Sequence, residues 1–176
     1  MPELDDLLHL FGENASRLGT FAESSDSEVP QPYRRLLAHN DHMTVTVEAF
    51  HVCPVSVEVI ASQRRGEVYC REILLRRTTD QKVVQFGIVR LDLRALSAVV
   101  RDEILAERTP LGRVLIEHDV LREVELHDLW QVKCGPQLAG FFDVPQGTIT
   151  YGRTALIHFN GNPALELLEI VSPVPA

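Results

Sequence analysis

Two arginines and a glutamate stand where strand alternation expects apolar side chains. Tyr69-Cys70-Arg71-Glu72-Ile73-Leu74-Leu75 reads as a strand, and residues two apart share a face, so Arg71 falls in line with Tyr69, Ile73 and Leu75. The same spacing sets Glu169 among Leu165, Leu167 and Val171, and Arg153 with Tyr151, Ala155 and Ile157. A guanidinium on an apolar face requires an anion, because breaking a buried ion pair costs roughly 3–5 kcal/mol. A buried carboxylate is likewise neutralised or paired. Two arrangements meet both demands. Either Arg71 and Glu169 pair with each other inside the sheet, or both face a pocket and hold opposite ends of a small acid. Arg153 reads first as a structural ion pair or a snorkelling side chain and second as a ligand contact. Glu166 falls on the opposite face, as a solvated strand residue.

Thr109-Pro110-Leu111-Gly112-Arg113 is a helix start, with Thr109 as the cap and Pro110 at the first helical position. The first amides of a helix have no internal acceptors and attract carboxylates, and Gly112 permits close approach. Taken alone, the segment reads as an ordinary capped helix. His39 and His42 flank Asp41, and His118 lies between Glu117 and Asp119, but no HExxH spacing accompanies them and the expectation is no metal site. GxSxG, GxGxxG and P-loop patterns are absent, so neither a nucleophile elbow nor a nucleotide cofactor is expected.

The elements that must position these groups follow from periodicity. Residues 3–12 predict a short amphipathic helix on Leu4, Leu7, Leu8 and Phe11, and the polar run 23–28 before Pro30 and Pro32 predicts a linker or surface loop. Alternation predicts strands over 44–50, 55–61, 69–77, 83–90, 120–126, 147–159 and 164–171, with Gly87 as a bulge or close-approach site and turns at Arg65-Gly66 and Asn160-Gly161. Asp92 caps a predicted helix over 93–107. A short helix is expected over 110–117 and irregular structure over 129–146. Short turns between successive strands favour an α+β fold, an antiparallel sheet with flanking helices, over a doubly wound parallel one.

The 176 residues suffice for one cored domain, read as an N-terminal helix and loop over 1–32 and a main unit over 33–176. A net charge of −8 argues against nucleic acid and anionic membrane surfaces as partners. No apolar run is long enough to span a bilayer. Three scattered cysteines, with no CxxC, imply neither a disulfide framework nor zinc, and a cytoplasmic protein is expected.

Taken in order, Leu36-Leu37, Asp41-His42-Met43-Thr44 with Glu48, Arg71-Glu72-Ile73-Leu74-Leu75, Thr109-Pro110-Leu111-Gly112-Arg113, Leu121-Arg122-Glu123, Gly152-Arg153 and Gly161-Asn162-Pro163 followed by Glu169 resemble the chorismate pyruvate-lyase family. The resemblance spans about residues 33–173. It implies a chorismate lyase-like α+β domain with a buried site under helical flaps, and a lyase that converts chorismate to 4-hydroxybenzoate and pyruvate without cofactor or metal. It further implies that Arg71 binds the aromatic carboxylate with help from the backbone amides of Met43 and Leu111. Glu169 would bond the hydroxyl at the far end of the ring, and Arg153 would face the enolpyruvyl carboxylate. Counted from Gly161, the glutamate falls one residue later than in the family pattern, and a bulge is what would restore its direction. The stretch 127–150 is longer than in that pattern, as a remodelled lid or contact surface would be. Two alternatives stand beside the lyase: a non-catalytic sensor of small aromatic acids with the same fold, and an enzyme acting on a different enolpyruvyl or aromatic acid.

Overall fold

The computed structural model describes residues 3–12 and 15–175. Seven strands, β1 (Gly19–Ser24), β2 (Val55–Arg65), β3 (Val68–Arg77), β4 (Val83–Asp92), β5 (Arg122–Cys134), β6 (Ile149–Phe159) and β7 (Asn162–Val171), form one sheet in the order β1-β5-β6-β7-β4-β3-β2. Every neighbouring pair is antiparallel. Six α-helices flank it: α1 (Leu4–Leu8), α2 (Tyr33–Leu37), α3 (Met43–His51), α4 (Ala98–Leu105), α5 (Leu111–Glu117) and α6 (Pro136–Phe142).

The strand alternation divides these helices between the two faces. Leu74, Phe86, Ile88, Leu168 and Ile170 point to one face, where Leu7 and Leu8 of α1 and Leu138, Ala139 and Phe142 of α6 cover them. The opposite face carries two separate apolar clusters. One joins Tyr69, Val89, Leu91, Leu165 and Leu167 to Val100 and Ile104 of α4 and Leu111, Val114 and Leu115 of α5. The other joins Ile73, Leu75, Tyr151 and Val171 to Leu36 and Leu37 of α2 and Met43 and Val47 of α3. The out-of-place charged residues lie along the seam between these two clusters.

Several local expectations are corrected. Residues 44–50 form helix rather than strand. Their Val–Thr alternation also places Met43 and Val47 one helical turn apart, and both are buried while Val45 is half exposed. Tertiary burial thus overrides β-branched propensity. The helix ends at Val52, which adopts the left-handed conformation with φ 49° just before Pro54. The predicted 93–107 helix is split. Asp92 caps only a 3₁₀ turn at Leu93–Ala95, and Ser97 caps α4, accepting from the amide of Val100. Thr109 is not the cap of α5; Pro110 holds that position. The stretch 129–146 is mostly regular, because β5 continues to Cys134 and α6 begins with Pro136 in its first turn. Residues 19–24, partly within the expected loop, pair as β1 with β5.

Candidate functional site

The sheet register sets the geometry of the seam. Arg71 pairs with Val89, and Ile73 pairs with Gly87, which pairs on its other side with Glu169. Glu169 pairs in turn with Arg153. One row across the sheet therefore reads Arg153, Glu169, Gly87, Ile73, with Arg71 one step along β3. At the start of β7 the register slips: Ile157 faces Leu165 while His158 faces Pro163, which leaves Ala164 as the extra residue. Beyond that bulge Glu169 turns to the same face as Arg71.

Arg71 and Glu169 do not pair. Arg153 takes Glu169 instead, Nε to Oε2 at 2.8 Å. Its remaining nitrogens donate to the carbonyls of His39 (Nη1, 2.9 Å) and Asp41 (Nη2, 2.9 Å). Arg153 is fully buried and fixes the segment that leads into α3. It is a structural tie and does not line the cavity described next.

Arg71 is equally buried, and its Nε and Nη1 have no hydrogen-bond partner among the described residues. Its nearest anionic neighbourhood is indirect: the Tyr69 hydroxyl donates to Glu107 Oε1 at 2.5 Å. Burial lowers the pKa of Arg71, against the opposing influence of Tyr69 and Glu107. Burial and the bond to Glu107 raise that of Tyr69. An arginine nevertheless keeps its charge, so the seam holds a buried cation with no direct ion-pair partner among the described residues.

That cation faces a cavity of about 40 Å³. Its polar lining is Arg71, Gln85, Glu169, Thr44 and His42, its floor is Gly87, and Ile73, Val89, Leu111 and Leu167 form apolar walls. Met43 and Leu111 also line it. Each opens a helix, α3 and α5 respectively, so their amides have no intrahelical acceptor. The volume holds roughly three waters. Gln85 Oε1 is buried without a partner as well. Sequence reading passed over Gln85, although the period-two test applied to Arg71 reaches it: Gln85, Gly87, Val89 and Leu91 share a face.

The roof is made where α3 and α5 meet. A Cβ on Gly112 would lie 3.1 Å from Thr44 Oγ1 and 3.3 Å from His42 Cβ, so glycine permits the close approach of the two helix starts. Arg113 pairs with Glu48, whose second oxygen accepts from the amide of Val55 at 3.0 Å. Arg122 Nε donates to His42 Nε2 at 2.6 Å, which leaves the neutral ring with its proton on Nδ1. Burial, then Arg122 and Arg153, hold His42 neutral, its pKa pushed down to about 4. Burial and Arg153 also lower His39.

Among the described residues no group of three or more His, Cys, Asp or Glu is arranged to hold a metal ion, and no helix is long and apolar enough to cross a membrane.

No protein-family model matches the sequence, and no curated protein does. Solved structures do match in fold. The effector domain of PhnF from Mycobacterium smegmatis aligns with a TM-score of 0.56 at 10% identity, over 75% of this chain and 88% of that one. A chain assigned to the GntR family of transcriptional regulators aligns with a TM-score of 0.53 at 15% identity, over 73% of this chain and 62% of that one. A regulator from Escherichia coli CFT073 aligns with a TM-score of 0.50 at 13% identity, over 68% of this chain and 97% of that one. Of YydK from Bacillus subtilis, a longer chain, this protein covers 61%.

These matches overturn the resemblance to chorismate pyruvate-lyases, and with it the chorismate lyase-like fold, the lyase activity and chorismate as substrate. The fold is an α+β antiparallel sheet with flanking helices of the kind found in GntR-type effector domains. The misreading has a physical origin. Thr109-Pro110, Gly161-Asn162-Pro163 and the strand-borne charges meet general demands of capping, turning and ion pairing, which recur in folds with unrelated functions.

Proposed function

We propose that the protein is a non-catalytic sensor module that binds a small organic acid in the cavity between β3, β4 and β7 and the roof formed by α3 and α5. The observation that carries this reading is the buried guanidinium of Arg71 with Nε and Nη1 unpartnered. A buried unpaired charge is destabilising, and a carboxylate presented to two guanidinium nitrogens would neutralise it with charge-assisted bonds. In this reading the amides of Met43 and Leu111 flank the same anion, and the apolar walls take the body of the acid, an aromatic ring being the first candidate. Glu169 closes the far side of the pocket and Arg153 braces it from behind.

Sensing follows from size. A cavity of about 40 Å³ does not admit a ring while its roof is closed, so an acid of that size must displace α3 or α5. Binding energy is thereby coupled to the position of the roof, which is the differential affinity that a two-state sensor requires. The likeness in fold to the effector domain of PhnF is in keeping with this role. The three free, buried cysteines fit a cytoplasmic location, where thiols stay reduced.

Isothermal titration with benzoate tests the reading. Saturable binding by the wild type that falls at least tenfold in Arg71→Met is expected. Equal binding by both proteins would remove Arg71 from the site and the proposal with it.

A further inference from the structure

Gln85 is a second unfinished polar group in the same cavity. It lies on β4 opposite Leu75 on one side and Val171 on the other, four residues along the strand from Val89, the partner of Arg71. The residue is 3% exposed, and its Oε1 has no hydrogen-bond partner among the described residues. An amide oxygen buried in that way forfeits about 1–3 kcal/mol, and a buried polar atom is normally satisfied by protein, water or ligand.

The two unfinished groups are of opposite kind. Arg71 offers only donors, and Gln85 Oε1 is an acceptor. Arg71 has Val89 and Leu167 in its row across β4 and β7, and Gln85 has Leu75 and Val171 in its own. The row between them holds Ile73, Gly87 and Glu169, where Glu169 Oε2 is taken by Arg153 and Oε1 makes no hydrogen bond among the described residues. One end of the cavity therefore asks for an anion and the other for a hydrogen-bond donor.

We infer that the ligand is an acid bearing a hydroxyl or amino donor remote from its carboxylate, and that Gln85 is the residue that selects for that donor. This rests on the acid-binding reading above and adds to it a ligand class and a specificity-determining side chain. A site that leaves a buried acceptor unmatched discriminates against ligands that lack the donor.

Benzoate, 3-hydroxybenzoate and 4-hydroxybenzoate serve as probes, titrated into the full chain. Wild-type protein is expected to bind at least one of the hydroxylated acids tenfold or more tighter than benzoate. Gln85→Met, close in shape and without the acceptor, is expected to lose most of that preference, the ratio of hydroxybenzoate to benzoate affinity falling toward one. A wild-type protein that binds all three acids equally overturns the inference without recourse to any variant. So does a preference that survives intact in a folded Gln85→Met. Both outcomes leave Arg71-dependent binding of benzoate in place, which separates failure here from failure of the acid-binding reading.

Discussion

Arg153 and Glu169 stand directly opposite one another on β6 and β7 and are joined at 2.8 Å, and that pairing leaves Arg71 without a carboxylate partner among the described residues. Two fully buried arginines on one face of the sheet thus meet opposite fates. One is saturated by a carboxylate and two carbonyls. The other keeps two nitrogens unbonded toward a cavity. The difference predicts opposite consequences when each is removed.

Arg153→Met should destabilise the protein by about 3–5 kcal/mol, since it strands Glu169 and frees the carbonyls of His39 and Asp41. Urea denaturation measures the loss, and amide exchange should rise in residues 39–42. A loss below about 1 kcal/mol would show that the pair does not tie the sheet to the segment before α3.

Arg71→Met should instead leave stability unchanged or raise it by about 2 kcal/mol, because an apolar side chain replaces a buried cation that lacks a direct ion-pair partner. Parallel urea curves for the two variants make the comparison. A marked loss of stability in Arg71→Met would mean that its charge is already compensated within the fold.

His42 makes stability depend on pH. Its folded pKa of about 4 lies below the ordinary value of 6.5, so between those values the unfolded chain binds more protons than the folded one. Stability is then full above about pH 6.5 and falls as the pH drops toward 4, by about 3 kcal/mol over the whole window. His42→Gln keeps an acceptor for Arg122 and removes the titration. Between pH 7 and 5 the wild type should lose about 2 kcal/mol more than this variant, as read from denaturation at each pH. Identical losses would place His42 in an environment that does not resist protonation.

Glu48 holds the roof, with one oxygen on Arg113 of α5 and the other on the amide of Val55. Glu48→Ala should cost about 1–2 kcal/mol. It should also speed amide exchange in α3 and α5 while sparing α6 on the opposite face. Uniform acceleration in all three helices would mean a global loss rather than a loosened roof.

Much of this architecture was open to reading from residue patterns. Period-two spacing found the strands that carry Arg71, Glu169 and Arg153 and put each charge on the correct face, and the turns at Gly66 and Gly161 were marked by their glycines. The same logic failed at Met43–His51, where β-branched alternation and a helical stripe through Met43 and Val47 coincide and only burial against β2 and β3 decides. It also offered only Arg71 as an ion-pair partner for Glu169, where the structure has Arg153. Both Arg71 and Arg153 lay on suitable faces, and the choice depends on strand order, since β6 neighbours β7 while β3 is separated from it by β4. Motif order suggested a lyase because turns, caps and strand-borne ion pairs recur for structural reasons whatever the reaction.

If the unpartnered nitrogens of Arg71 receive a carboxylate, a crystal structure of the protein with benzoate will show it there. The carboxylate is expected within hydrogen-bond distance of Arg71 Nε and Nη1, the ring between Val89, Leu111 and Leu167, and α3 and α5 parted where His42 now meets Gly112. Benzoate bound elsewhere, with Arg71 still unpartnered or turned onto Glu107, would contradict that expectation.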